Sequence, residues 1–146
     1  MTKAEYGRYV ESMAEKSALV KNMALSFVMG GLICVVGQIF SNLYMGAGLS
    51  KDAASTATSV TMIFWGALLT ALNLYDDMAK VGKAGTIIPI TGFANSIVSP
   101  AMEFKSEGLV LGLAAKMFVV AGPVLVYGVV SSVIYGLIVL LVHHIR

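Results

Sequence analysis

Apolar positions come in uninterrupted blocks too long for a soluble core, and the polar positions between them are spaced for helices rather than strands. Residues 22–44 carry no charge and are long enough to cross a bilayer, whose hydrocarbon core takes about 20 residues of helix. Gly30, Gly31 and Gly37 in this stretch permit close helix contact, and Gln38 and Asn42 stand one turn apart. Gly46, Gly48, Ser50, Lys51 and Asp52 follow, combining glycine punctuation, charge and a Ser-x-x-Ala helix start in a short exposed turn. Residues 53–75 form a second uncharged stretch, with Trp65 in its middle and Tyr75 at its end, where an aromatic anchor belongs. Its Ser59, Gly66, Thr70, Asn73 and, beyond it, Asp77 share a face of small or polar groups. Such a face either lets helices approach or lines water.

Residues 1–21 are polar, yet Tyr6, Val10, Met13, Ser17 and Val20 recur at helical spacing. This predicts an amphipathic N-terminal helix, cytoplasmic or interfacial, ahead of a single transmembrane helical domain at 22–146. Asp76, Asp77, Lys80 and Lys83 predict a loop or interfacial turn at 76–85. The chain is apolar again from Thr86, but Pro89, Gly92, Asn95, Ser96, Ser99 and Pro100 make 86–102 a poor continuous helix. Residues 109–142 hold one charge, Lys116, and a Gly122-Pro123 break. As one helix they would extend about 50 Å against a core of roughly 30 Å, so a single straight span is not expected. Residues 123–142 suffice alone, leaving 108–122 as a half-length segment that mirrors 86–102 across a polar turn, the signature of broken or re-entrant helices.

Two arrangements follow for this all-α integral membrane protein. Four spans put both termini on one side. Three spans plus a re-entrant or broken pair at 86–122 put the termini on opposite faces and bury the polar turn within the bilayer. Lys3, Arg8, Lys16, Lys21, Lys80, Lys83 and Arg146 on one side, against Lys51 and Lys105, favour the first arrangement. The cluster of polar groups favours the second.

Composition supports the membrane reading: 58% of residues are hydrophobic and 12% charged, against about 25% charged in ordinary soluble chains. The net charge of +2 is scattered, with no basic block that would track a nucleic acid. Cys34 has no partner for a disulfide within the chain. Bulky Ile33 before it argues against a lipidation box, so Cys34 reads as buried apolar filler. The long polar N-terminus does not resemble a cleavable signal peptide. His143 and His144 lack a carboxylate or cysteine at ligand spacing, and no nucleophile elbow, phosphate loop or zinc motif occurs. Neither a metal site, a cofactor nor an enzymatic activity is expected.

Candidate chemistry gathers at 91–108. Glu103 and Glu107 lie four apart, so in a helix both carboxylates share one face, with Lys105 displaced from them. A cation site, a solute pathway or a charged subunit contact would each use that pattern, and a solvated loop would explain it equally. Lys116 either snorkels to an interface or faces a polar interior. Thr91, Asn95 and Ser96 supply neutral hydrogen bonds for a broken-helix end, or simply satisfy the backbone around Pro89 and Pro100. Gly108-x-x-x-Gly112 and Gly128, Ser132 and Gly136 place small residues at four-residue spacing for helix packing. Three or four helices enclose too little volume for a pore, so a pathway needs several copies or a companion.

Four blocks carry a family resemblance: GGLICVVGQ at 30–38, TAL-x-LYDD at 70–77, GKAGTIIPITGFANS at 82–96 and SPAMEFKSEGLVLG at 99–112. Together they cover roughly residues 24–136, and over them the chain resembles the SpoVA family of spore-former membrane proteins. The long polar N-terminus sets it apart from the shorter SpoVAE-type paralogue. The resemblance implies a channel subunit passing dipicolinic acid with calcium across the spore inner membrane, inward in sporulation and outward in germination, with tension as a candidate stimulus. It also implies an SpoVAE-type membrane subunit and a soluble SpoVAD-type dipicolinate-binding subunit as partners, in a homo- or hetero-oligomer. The expected pore-lining or solute-binding residues are then Thr91, Asn95, Ser96, Glu103, Lys105, Glu107 and Lys116. The alternative is an assembly subunit that docks the soluble partner while another membrane subunit carries the pore.

Overall fold

A helix meets a bilayer by enclosing its own backbone hydrogen bonds, and the computed structural model, which describes residues 2–13 and 18–145, contains only helices and turns among those residues. Helix α1 (Lys3–Met13) opens with a reciprocal cap. The Glu5 amide donates to Thr2 Oγ1 at 3.3 Å and the Thr2 amide donates to Glu5 Oε2 at 2.7 Å. It buries nothing, and Tyr6, Val10 and Met13 are all exposed; Ser17, the next member of that apolar stripe, lies outside the described residues. Helix α2 (Leu19–Gly46) is 28 residues long and helix α3 (Lys51–Ala71) is 21. Ser50 caps α3 as its sequence foretells, accepting from the Ala53 amide at 3.4 Å. The two helices run antiparallel, joined by the hydroxyls of Tyr44, near the end of α2, and Thr61, midway along α3, 2.7 Å apart.

Three described helices are long and apolar enough to cross a membrane: Leu19–Gly46, Lys51–Ala71 and Leu109–His144. The chain is an all-α membrane protein, and its span-length helices number three rather than four. Residues 76–85, expected as a loop or interfacial turn, form most of helix α4 (Leu74–Gly82) and lead into the short α5 (Ala84–Ile87). Asn73, left-handed at φ 59°, turns the chain out of α3. Tyr75 is not an interfacial anchor but is 2% exposed, because α4 folds back under α3.

The interrupted region breaks at Pro89, which stands extended between α5 and helix α6 (Ile90–Glu103). Helix α6 then runs in the same sense as α3. A side chain added at Gly66 would come within 2.8 Å of the Thr91 carbonyl, and one turn later on both helices Thr70 meets Asn95. The segment therefore enters beside α2 and returns beside α3 to the α4 end of the molecule without crossing.

Residues 109–122 do not mirror it, contrary to the expected pairing. Six residues of π-helix, Leu109–Ala114, pass directly into helix α7 (Ala115–Ile145), which continues through Pro123. A proline removes one intrahelical bond, whereas ending a helix in hydrocarbon strands several backbone groups at once, so the helix persists. The packed core is thin, with Ile33, Ala54, Met62, Tyr75, Ala94 and Ala121 as its buried apolar residues. Cys34 is not buried filler; it is exposed, at the edge of a groove between α2 and α5.

Candidate functional site

The break at Pro89 frees the Thr86 carbonyl from the helical ladder, and a freed carbonyl at bilayer depth needs a donor. Tyr75 supplies it: its hydroxyl donates to Thr86 O at 2.7 Å and also contacts Thr91 Oγ1 at 2.9 Å. The one phenolic proton serves the carbonyl, which can only accept, leaving Thr91 to donate in return. Thr86, fully buried, donates its own hydroxyl to the Lys83 carbonyl at 2.9 Å. Lys83 itself holds φ 49° and ψ −128°, a turn conformation that favours glycine.

Beside this network, α3, α4 and α6 enclose a polar cavity of about 660 Å³, within the size range of small-molecule sites. Its inner wall is neutral. Thr70 Oγ1 donates to the Gly66 carbonyl at 2.7 Å and lies 2.8 Å from the Asn95 side-chain amide, tying α3 to α6. Its outer rim carries Asp76, Asp77, Lys80 and Glu103, all exposed. Lys80 bridges Asp77 at 2.8 Å and Asp76 at 3.6 Å. The hydrogen bond to Asp77 and the charges of Asp77 and Asp76 hold its ammonium above the usual lysine range. The rim is thus anionic, with three carboxylates around one occupied ammonium.

Of the seven expected residues, Asn95 and Glu103 line this cavity. Thr91 is buried in the Tyr75 network and borders an apolar groove of about 440 Å³ between α2 and α3 instead. Ser96 donates to the Phe93 carbonyl at 2.8 Å, a local backbone bond. Glu103 and Glu107 do not share a helix face, because α6 ends at Glu103 and residues 105–107 form a 3-10 turn. Lys105 and Glu107 are exposed on that turn. Gly108, at φ 102°, and Gly112 make the reversal possible: a side chain on Gly112 would run into the Phe104 carbonyl. Lys116 points back to the turn, its Nζ 4.0 Å from the Phe104 ring centroid in a cation–π contact.

Asp76, Lys80 and Ser99 were not anticipated at the site. The Thr70, Asn73 and Asp77 stripe was the available signal, and of its two meanings the structure supports both: Gly66 packs against α6 while Thr70, Asn73 and Asp77 face the cavity.

The family model for the SpoVAC/SpoVAEB sporulation membrane protein matches residues 22–138, which include every element from α2 to most of α7. The chain belongs to the SpoVAC/SpoVAEB family. It is 43% identical over 137 residues to stage V sporulation protein AC of Bacillus subtilis (strain 168), covering 93% of this chain and 91% of that relative. No solved structure matches it. Membership in this family of sporulation membrane proteins accords with the three span-length helices and a multi-pass membrane location.

Proposed function

We propose that this SpoVAC/SpoVAEB-family chain is a channel subunit for calcium dipicolinate in the spore inner membrane, working beside an SpoVAE-type membrane subunit and a soluble SpoVAD-type partner. The observation that carries this reading is the polar cavity bounded by a non-crossing helix, with a neutral inner wall at Thr70 and Asn95 and an anionic rim. A free dipicolinate dianion is repelled by such a rim, whereas its calcium chelate presents a cation to Asp76, Asp77 and Glu103. The positive-inside bias supports a cytoplasmic α4 end, because Lys3, Arg8, Lys21, Lys80, Lys83 and Lys105 all belong to that end of the three-span arrangement.

The test is dipicolinate release from sealed liposomes containing the purified chain, with calcium present and with or without osmotic downshift. Release that depends on the protein and falls when Asp76→Asn, Asp77→Asn and Glu103→Gln are combined supports the reading. Tight vesicles would move the pathway to an interface with another membrane subunit.

A second reading is favoured by the exposure of Lys105, Ser106 and Glu107 on the turn before the third span. There the chain acts mainly in assembly, docking the soluble partner. Ser106→Cys should then label readily with an impermeant thiol reagent in a Cys34→Ser background, and lose that labelling when the partner is added.

A further inference from the structure

The outward face of α2 carries two carboxamides that nothing in the described chain covers. Ala24, Val28, Gly31, Val35, Gln38, Asn42 and Met45 follow one another at alternating steps of four and three, and every one of them is exposed. That is the spacing of a seam between two helices. Gln38 donates to Asn42 Oδ1 at 2.9 Å, and this is the one hydrogen bond shown for either side chain. Two carboxamides together have four N–H donors and two carbonyls, so three donors and the Gln38 carbonyl remain open. Gln38 lies about 12 Å from the end of α2, too deep for a headgroup to reach comfortably, and an open amide group in hydrocarbon costs several kcal/mol.

Three hydroxyls on other outward surfaces make no such demand. Thr56 donates to the Asp52 carbonyl, Ser59 to Ser55 and Ser132 to Gly128, each within its own helix. We infer that the Gln38–Asn42 face of α2 is the contact for a second copy of this chain, related by a two-fold axis along the membrane normal. Each carboxamide is donor and acceptor at once, so it complements itself. Identical residues in two copies also sit at the same depth, which sets Gln38 and Asn42 level with their counterparts. Gly31, with open space where a side chain would stand, lets the helices close about two turns from Gln38. This inference is independent of which solute the protein carries.

Disulfide trapping in native membranes tests it, with Val35→Cys in a Cys34→Ser background. Position 35 is in the seam, and the short Cα separation that a disulfide requires is met only if two copies of α2 lie side by side. The expected result is an oxidised dimer of the full chain. Its dimer-to-monomer ratio should fall roughly tenfold on adding Gln38→Leu and Asn42→Leu, which leave the span apolar, and should recover with the swap Gln38→Asn and Asn42→Gln. Val133→Cys, on the exposed face of α7, should give no dimer. No disulfide at position 35 overturns the inference, as does a dimer indifferent to the two leucines. A disulfide formed only with a different membrane subunit carrying a matching cysteine also overturns it.

Discussion

Two apolar segments, 86–103 and 109–144, contain prolines at which the chain behaves in opposite ways: Pro89, between Ile88 and Ile90, and Pro123, after Gly122, while Pro100, inside α6, sides with Pro123. At Pro89 the chain leaves the helix, turns back and packs α6 along α3. At Pro123 the helix runs on. The difference lies in the surroundings rather than in the proline. Around Pro89, Gly85 fits against the Ser26 backbone of α2 and Gly92 sits beneath the Thr86 carbonyl, while Tyr75 takes up the acceptor that the break releases. Around Pro123 there is nothing to receive a freed backbone group, because Gly122 and Gly128 face open space and the helix from Pro123 to His144 is exposed throughout. A broken helix in a membrane is therefore a tertiary structure, sustained by partners that a proline does not bring with it.

The sharpest way to break this comparison is to fill the contact between α2 and α5. Gly85→Val would drive a branched side chain into the Ser26 carbonyl, which cannot move without α2, at a cost above ~3 kcal/mol; thermal unfolding in detergent should show loss of the folded form. Gly128→Val, in open space on α7, should leave the same transition nearly unmoved.

Tyr75→Phe keeps the ring and removes the donor, leaving the Thr86 carbonyl unsatisfied at the break. A loss of ~1–3 kcal/mol is expected from denaturant titration. An unchanged midpoint would mean the freed carbonyl has another donor. Lys83→Gly works in the other direction. Its removal of a positive φ from a residue with a side chain should stabilise the fold by ~1 kcal/mol, read as a higher melting temperature. The smallest effect belongs to Pro123→Ala, which restores one backbone donor to an already continuous helix. A shift within ~1 kcal/mol, with no change in which loops an impermeant reagent labels, is expected; a change of labelling would show that Pro123 does direct the topology.

Much of this was legible in order. The uncharged run from Asn22 and the Ser50 cap mark α2 and the start of α3 because length, apolarity and capping are local properties. The interruption after Thr86 was legible as well, but its geometry was not: prolines stand within apolar runs at 89, 100 and 123, and the tertiary surroundings tell which of them ends a helix. The candidate site divided in the same manner. Asn95 and Glu103 were found from their polarity, whereas Asp76 and Lys80 were passed over as a loop because their contribution depends on α4 folding back to face α6 across the cavity. Glu107 was grouped with Glu103 by a helical spacing that the chain abandons at Phe104.

The sequence by itself determined that this chain is helical, that it belongs in a membrane, and which stretches can span it, since each follows from the cost of placing charge and open backbone in hydrocarbon. The tertiary structure alone decided which proline breaks a helix, along which helix α6 packs and which acidic residues share a cavity. Those outcomes depend on backbone contacts, such as Gly66 with Thr91 and Gly85 with Ser26, between residues far apart in the chain, where no local periodicity reports them.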